Sequence, residues 1–368
     1  MKFNFVAKID ANSMDAKIPF IRTINTAKAN GYSMNLIAIA EQNNRAFMEM
    51  PGFKNDPIKT LDTEKNKIEI SWNDRFDEEV IKSVADYKKN VIVLNGERHE
   101  FISEYDFIEF VRDHIDEIKG KEFTVTGRVT KNEYNGKISD RFQIQNIFEV
   151  TEEKKHKLRV FGEFYFDADS IDTADWKSEK KITFNGYTKE YMSKEHPAAY
   201  VPKTITLDAS KIDFDNENLV ALLNYNLKQM GLSYEDGKIK NNLKKNAYFC
   251  QSVILSYVNG AERKEFNESM LTENQKEAVA LGLKTIDDFR PAGSIYGDRV
   301  VMLKLIDFDG RDKFSKGYIK CDETPKEFEE NIYASVKEET VDDFEKSMNK
   351  PVEEKKEKSE IEDDDLFS

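Results

Sequence analysis

The residues of this chain with the widest chemical reach are cations interleaved with aromatic rings in the first 150 positions. They are Arg22, Lys28, Tyr32, Arg45 beside Phe47, Phe53 next to Lys54, Trp72 with Arg75, and Arg128, Lys131, Tyr134, Lys137 and Arg141. Cations that track phosphates, together with exposed rings on which bases stack at about 1–3 kcal/mol each, are what nonspecific binding of a single nucleic-acid strand needs. Rings also fill cores, and about half of these aromatics are expected there. Trp72 closes the run Ile68-Glu69-Ile70-Ser71 with Asn73, Asp74 and Arg75 beside it. At such a place a stacking platform and a rim cap are equal alternatives.

Catalytic chemistry finds little support. No Walker A loop, GxGxxG, GxSxG or HExxH pattern occurs, and the four histidines (His99, His114, His156, His196) have no partner at a recognisable spacing. Asp307-Phe308-Asp309-Gly310-Arg311-Asp312 has the look of a calcium loop without its closing glutamate, and a hairpin turn is expected instead. Cys250 and Cys321 lie far apart in apolar contexts without a CxxC partner, so reduced core thiols are expected rather than a disulfide or zinc site. No metal, no cofactor and no enzymatic activity are expected. A nuclease built from scattered carboxylates on Mg²⁺ is a minor alternative.

The elements that must position these residues read as strands. Lys2 to Ile9, Ile18 to Ile24, Tyr32 to Ile39, Lys67 to Trp72 and Asn90 to Leu94 alternate in polarity, with Asn30-Gly31 and Asn95-Gly96 as turn signals. Over 104–118 the period changes, since Phe107, Ile108, Val111, Ile115 and Ile118 recur at helical steps, with Ser103 as N-cap and Gly120 as stop. A hairpin follows, from Phe123 through Tyr134-Asn135-Gly136-Lys137 to Val150, with Gly127 suited to a sharp bend. Strands, a plugging helix and then a glycine-interrupted hairpin are the order of a small OB-type barrel, which predicts an OB-like domain over 1–150.

Thr151 to Lys157 is a charged link, after which strand patterns resume at Leu158 to Phe166, Lys181 to Tyr187 and Thr204 to Leu207. Helices are predicted near Asn216 to Met230 and Glu273 to Leu281, before closing strands at Arg299 to Leu305 and Lys316 to Lys320. The fold expected is therefore mainly β with inserted helices: tandem OB-like barrels, the second elaborated over 157–336. There Trp176, Tyr187, Lys189, Tyr191, Lys194 and Tyr200 cluster around predicted loops, where packing is the expected role.

A formal net charge of −14 argues against a uniformly basic surface, and its distribution matters more than its sum. Residues 337–368 hold 13 Asp or Glu against 6 Lys, so a segment under a tenth of the chain carries −7. This acidic tail is expected to be disordered. Its tip, Asp363-Asp364-Asp365-Leu366-Phe367-Ser368, ends on two apolar residues that a solubilising tail does not need. Leu366 and Phe367 could fill an apolar pocket on a partner while Asp363, Asp364 and Asp365 meet its basic rim, or the tail could cover the protein's own cationic groove. No stretch approaches the roughly 20 apolar residues of a membrane span and no signal-peptide pattern leads the chain, so a cytoplasmic location without membrane contact is expected.

Three stretches carry a resemblance to a known family: Ile70-Ser71-Trp72-Asn73-Asp74-Arg75, the helix-to-hairpin passage from Asp106 to Val150, and the acidic tip. On these the chain resembles the single-stranded DNA-binding proteins of bacteriophage replication systems. The resemblance covers the first 150 residues and the last nine, and it departs at the tip, where Ser368 follows the aromatic. It implies protection and organisation of single-stranded DNA in replication, recombination or repair, with the tail recruiting proteins of those processes. In a phage setting the location implied is the bacterial host cytoplasm. A protein-interaction scaffold and an RNA-binding OB protein are the alternatives.

Overall fold

The computed structural model describes residues 1–25, 30–41, 44–134, 137–152, 155–190, 199–260, 263–264, 266, 268–290, 295–296, 300–308, 310 and 312–322. Within these, only the backbone is described at 131–134, 137–139, 190, 199, 263–264, 269, 295–296, 300 and 312. In chain order the first half comprises β1 (Lys2–Asp10), β2 (Ile21–Asn25), β3 (Asn30–Ile39), β4 (Arg45–Phe53), β5 (Ile58–Leu61), β6 (Lys67–Ile70), α1 (Glu78–Ser83), β7 (Asn90–Leu94), β8 (Glu97–Phe101), α2 (Glu104–Asp113), α3 (Ile115–Ile118), β9 (Glu122–Tyr134) and β10 (Lys137–Glu149). The second half adds β11 (Lys157–Phe166), β12 (Ile171–Asp172), α4 (Trp176–Glu179), β13 (Lys181–Glu190), β14 (Ala199–Asp208), α5 (Glu217–Lys228), β15 (Leu232–Glu235), β16 (Lys238–Asn241), β17 (Phe249–Gly260), β18 (Arg263–Lys264), α6 (Glu273–Ala280), β19 (Ile295–Tyr296), β20 (Val300–Phe308) and β21 (Ile319–Lys320). The protein is mainly β with few helices.

The strand pairings of the first half return on themselves. β1 pairs with β3, β3 with β4, β4 with β10, β10 with β9, and β9 with β1 again. All of these pairs are antiparallel except β4 with β10, which run parallel. A parallel neighbour cannot be reached by a tight hairpin, so the chain between β4 and β9 must cross over. That crossover holds the β5–β6 hairpin, α1, β7, β8, α2 and α3. The second half repeats the order: β11 with β13, β13 with β14, β14 parallel to β20, β20 with β17, and β17 with β11. Here α5 stands in the crossover between β14 and β17. The two circuits are joined edge to edge by the antiparallel pairing of β1 with β11.

Period-2 alternation gives each strand one face inward. In β4 the buried residues are Ala46, Met48, Met50 and Gly52, while Arg45, Phe47, Glu49, Pro51 and Phe53 face the other way. Phe3, Phe5, Met34, Leu36, Phe123, Val125, Phe142 and Ile147 of the first half and Phe164, Phe166, Ile182, Phe184, Ile205 and Leu255 of the second are buried in one continuous core. Between them Tyr257 packs on Phe5 and Phe142. Polar ties cross the same seam: Asn44 donates to the Tyr257 carbonyl at 2.8 Å, and Lys203 pairs with Asp140.

Two glycines permit close approaches that a side chain would block. A Cβ on Gly52 would lie 2.6 Å from the Tyr105 nitrogen, so its absence lets the first turn of α2 rest directly on β4. A Cβ on Gly127 would lie 1.9 Å from the Gln143 carbonyl oxygen and 2.6 Å from the Phe3 ring. The bend expected at Gly127 is therefore a close crossing of β9 over β1 and β10.

The helix predicted over 104–118 is two helices. Ser103 caps α2, and the turn breaks at His114, whose φ of −113° and ψ of 18° are not helical, before α3 resumes. Gly120 ends the segment at φ +82°. The predicted helices near 216–230 and 273–281 are α5, capped by Asn216, and α6, capped by Thr272 in a reciprocal arrangement with Gln275. The predicted strand ending at Trp72 stops at Ile70, because Ser71 caps a single 3-10 turn, Trp72–Asp74. The expected turn at 307–312 falls partly outside the described residues, as do Tyr191, Lys194 and the whole of the 337–368 tail.

Two measurements check this architecture. Gly127→Ala is expected to cost about 1–3 kcal/mol, the range for forcing atoms into a filled interior, read as a lowered urea midpoint. At the far end of the second circuit, Lys304 on β20 binds Asp208 on β14 at 2.7 Å. Burial alone would raise the Asp208 pKa, but hydrogen bonds from Lys304 and Ser210 outweigh it and hold the carboxyl down at about 2. Because the folded value lies below the ordinary 3.8, the stabilisation is full above 3.8 and is lost as pH falls toward about 2. Asp208→Asn should thus be less stable than the parent near neutral pH, with the difference in unfolding free energy shrinking across that acid window. A difference independent of pH would contradict the assignment.

Candidate functional site

The first circuit has a solvent face on which the pairing register sets polar residues in a row. Asn35 of β3 stands beside Glu49 of β4, Glu49 beside Gln143 of β10, Gln143 beside Arg128 of β9, and Arg128 beside Lys2 of β1. A second row runs from Arg22 of β2 to Ser33 of β3 and Pro51 of β4. Between Arg45 and Glu49 on the same face lies Phe47, which is 53% exposed.

Where this face meets the crossover segment it sinks into a groove of about 820 Å³. Pro51 and Phe53 of β4, Arg128 of β9 and Gln143 to Gln145 of β10 form one side of it. The other side is the stretch from Lys54 to Thr60, with a cis Asp56-Pro57 bond, together with Tyr87, Lys88 and Asn90. Four cations line it (Lys54, Lys59, Lys88, Arg128) against two carboxylates (Asp56, Glu104). Lys59 is paired with exposed Glu69, whereas Lys54, Lys88 and Arg128 have no carboxylate partner among the described residues. Tyr87 is 52% exposed at the rim. Its position is fixed from below, since Gln145 Nε2 donates to the Tyr87 carbonyl at 2.9 Å and Asn90 Nδ2 donates to the Gln145 carbonyl at 3.0 Å.

Trp72 is not a platform. It is 7% exposed at the centre of a satellite core with Ile58, Ile70, Val84 and Ile102, which packs the β5–β6 hairpin against α1. The expectation of a stacking face there is corrected: the Ser71 cap turns the chain at the strand end and folds the indole back under the hairpin. Its backbone N–H donates to Asp56 at 3.1 Å, so Trp72 braces the groove wall from behind. Arg75 is corrected likewise. Its guanidinium binds Asp106 at 2.9 Å and lies 4.1 Å from both the Trp72 and Phe76 rings, so its charge is spent on fixing α2 to the satellite. Tyr32 points to the other side of β3, stacked on Tyr105 at 4.9 Å, and does not face the groove. The hydrogen bond between these two, assisted by burial, raises the Tyr105 hydroxyl above its ordinary pKa.

Arg141 lies on the solvent face but is held by Glu49 at 2.6 Å. The structure therefore brings Arg22, Arg45, Phe47, Phe53, Arg128 and Arg141 to one face, and sets Tyr32, Trp72 and Arg75 apart from it. Lys131 and Tyr134 lie in β9 and Lys137 in β10, where only the backbone is described. Lys28 and the tail residues Asp363, Asp364, Asp365, Leu366 and Phe367 lie outside the described residues. In the second half Trp176 is a buried core residue, its indole donating to the Gly237 carbonyl at 3.1 Å. Tyr200 is buried as well, and Lys189 Nζ donates to its hydroxyl at 3.1 Å.

Lys2, Lys59, Tyr87, Lys88, Gln143 and Gln145 were not singled out by the sequence. Tyr87-Lys88-Lys89 before the apolar run Val91 to Leu94 has the same ring-and-cation signature used elsewhere, and could have been found by it. Lys2 and Gln143 join the site only through strand register, which sequence does not display.

Among the described residues no group of three His, Cys, Asp or Glu side chains could hold a metal ion, and no helix is long and apolar enough to cross a membrane. Comparison with protein-family models and with curated proteins finds no match for this chain.

The division between brace and face gives a direct check. Trp72→Ala is expected to lower stability by about 3–5 kcal/mol, as for large buried aromatics. Phe47→Ala should stay within about 0.5 kcal/mol of the parent, as for exposed positions. Both are read by urea unfolding, and the reverse ranking would refute the placement of the two rings.

Proposed function

We propose that this chain is a non-enzymatic single-stranded DNA-binding protein whose first circuit is an OB-type barrel holding the strand, with a second OB-type barrel behind it. The strand order supports the barrel reading: in each circuit the first strand pairs with the second and fourth, and the third runs parallel to the fifth, with helix in the crossover. The observation that carries the binding reading is the groove, where Lys54, Lys88 and Arg128 lack carboxylate partners among the described residues while Phe53 and Tyr87 present rings beside them.

A backbone bearing one phosphate per nucleotide is attracted by such cations wherever they can replace condensed counterions. Bases freed from pairing stack on ring faces without regard to sequence, which fits Tyr87 at the rim and exposed Phe47 on the adjoining face. Gln143, Gln145 and Asn90 add neutral donors and acceptors that orient the strand and do not oppose its charge. In this reading the acidic tail recruits replication or recombination proteins through Leu366 and Phe367, and covers the groove until a strand displaces it. RNA shares the phosphates and stacking bases, so the preference for DNA is a matter for competition.

Fluorescence anisotropy with labelled oligo-dT tests the proposal. Binding should weaken as salt rises, and Arg128→Glu and Lys88→Glu should weaken it further and flatten the salt slope. Phe47→Ala and Tyr87→Ala should each cost about 1–3 kcal/mol where a base stacks on the ring. Deletion of 351–368 should tighten binding. Stronger competition by RNA oligomers than by DNA would reassign the substrate, and no binding to any oligonucleotide at low salt would end the reading.

A further inference from the structure

The two cysteines, 71 positions apart in sequence, meet in the fold. Cys250 sits in β17 and is buried at 2% exposure; Cys321 follows β21 and is half-buried. β21 pairs with the start of β17, Cys250 opposite Ile319 and Phe249 opposite Lys320. The Cys321 N–H extends the ladder, donating to the Tyr248 carbonyl at 2.8 Å. Side chains two positions apart share a face of a strand, so Cys321 lies on the same face as Ile319 and is the diagonal neighbour of Cys250. Both thiols belong to one small cluster with Tyr165, Tyr200 and Phe314.

Charged groups surround the pair. Glu163 Oε2 lies 3.8 Å from the Cys250 sulfur and accepts from the Tyr165 hydroxyl at 2.7 Å, while its other oxygen binds Lys313 at 3.0 Å. A hydrogen bond from the Cys250 thiol, aided by the Lys313 charge, lowers the Cys321 pKa against the effect of burial. The same hydrogen bond, then burial, pushes the Cys250 thiol up. The outer sulfur is thus the better nucleophile and the inner one is held protonated beside it.

We propose that Cys250 and Cys321 form a reversible redox pair, oxidised to a disulfide by hydroperoxides. The Cys321 thiolate attacks the hydroperoxide, the O–O bond breaks, and the leaving oxygen takes a proton to become water or an alcohol. The Cys321 sulfur, now a sulfenic acid, is attacked by the Cys250 sulfur. The S–S bond forms as the S–O bond breaks, and the departing hydroxide leaves as water with the Cys250 proton. Two electrons pass from the sulfurs to the hydroperoxide. Diagonal neighbours in a sheet stand wider than a disulfide's usual Cα span, so closing the bond pulls β21 toward Cys250. A two-residue strand can yield in this way, and the strain makes the bond easy to reduce. The oxidised protein carries a covalent tie between β21 and β17 that the reduced one lacks. This proposal is independent of the nucleic-acid reading.

The test uses the full-length protein, treated with hydrogen peroxide, quenched with an alkylating agent, digested and mapped without reductant. The expected product is a monomer lacking the mass of two hydrogens, with the peptides containing Cys250 and Cys321 linked, and with both thiols recovered after dithiothreitol. Cys250→Ser should halt at a Cys321 sulfenic acid that dimedone traps, and Cys321→Ser should leave Cys250 unmodified in the folded protein. The parent's peptide map decides the matter even where a variant folds poorly. Two intact thiols after peroxide, an intermolecular dimer as the sole disulfide, or Cys321 oxidised past sulfenic acid as fast in the parent as in Cys250→Ser would each overturn it.

Discussion

The two halves of the solvent face of the first circuit meet at one parallel contact, that of β10 with β4. The other pairs of the circuit are antiparallel neighbours, but this one closes the ring of pairings and aligns Gln143 with Glu49. Without it, Arg128 and Gln143 on the final hairpin would be tied to Phe47, Pro51 and Phe53 on β4 only the long way round, through β1 and β3. The geometric demand of a parallel return also explains the long crossover between β4 and β9. That segment does more than connect: it caps the circuit with α2, extends β10 with β7, and raises the wall behind which the groove forms. The second circuit repeats the arrangement with β14 and β20, where the Lys304 and Asp208 pair secures the same junction.

An excess of negative charge and a groove for a polyanion are compatible because the cations are treated differently by location. At structural junctions they are neutralised, as with Arg75 and Asp106, Lys203 and Asp140, or Lys304 and Asp208. On the groove and the adjoining face, Lys2, Arg22, Lys54, Lys88 and Arg128 have no carboxylate partner among the described residues. Fields fall off over about 8–10 Å at physiological salt, so a local set of uncompensated cations outweighs distant carboxylates. The −7 of residues 337–368 is half of the chain's total of −14.

Much of the fold was legible because period-2 alternation and capping residues are local signals. The alternation of β1, the Ser103 cap and the helical spacing of Phe107, Ile108 and Val111 follow from residues within a few positions of one another, whereas β4 was not among the expected strands and the tight crossing at Gly127 is set by Phe3 and Gln143, distant in sequence. Trp72 and Arg75 were misjudged because polar neighbours in sequence suggested exposure. The Ser71 turn instead buried the ring in a satellite core assembled from residues between 58 and 102. Tyr32 went wrong by parity, since its ring leaves β3 on the side opposite Asn35 and Glu49 and stacks on Tyr105 of α2. Register and long-range pairing, which bring Lys2 beside Arg128 and Cys321 beside Cys250, leave no trace in local pattern.

The central claim, that the groove beside β4 and β10 is where a single strand lies, is tested most directly by lysine footprinting with and without saturating oligo-dT. Acylation of Lys54, Lys59 and Lys88 should fall sharply on binding. Lys119 and Lys121, exposed before the start of β9 and roughly 23 Å along that strand from Arg128, should react as before. Protection of the distal lysines with none in the groove would contradict the account.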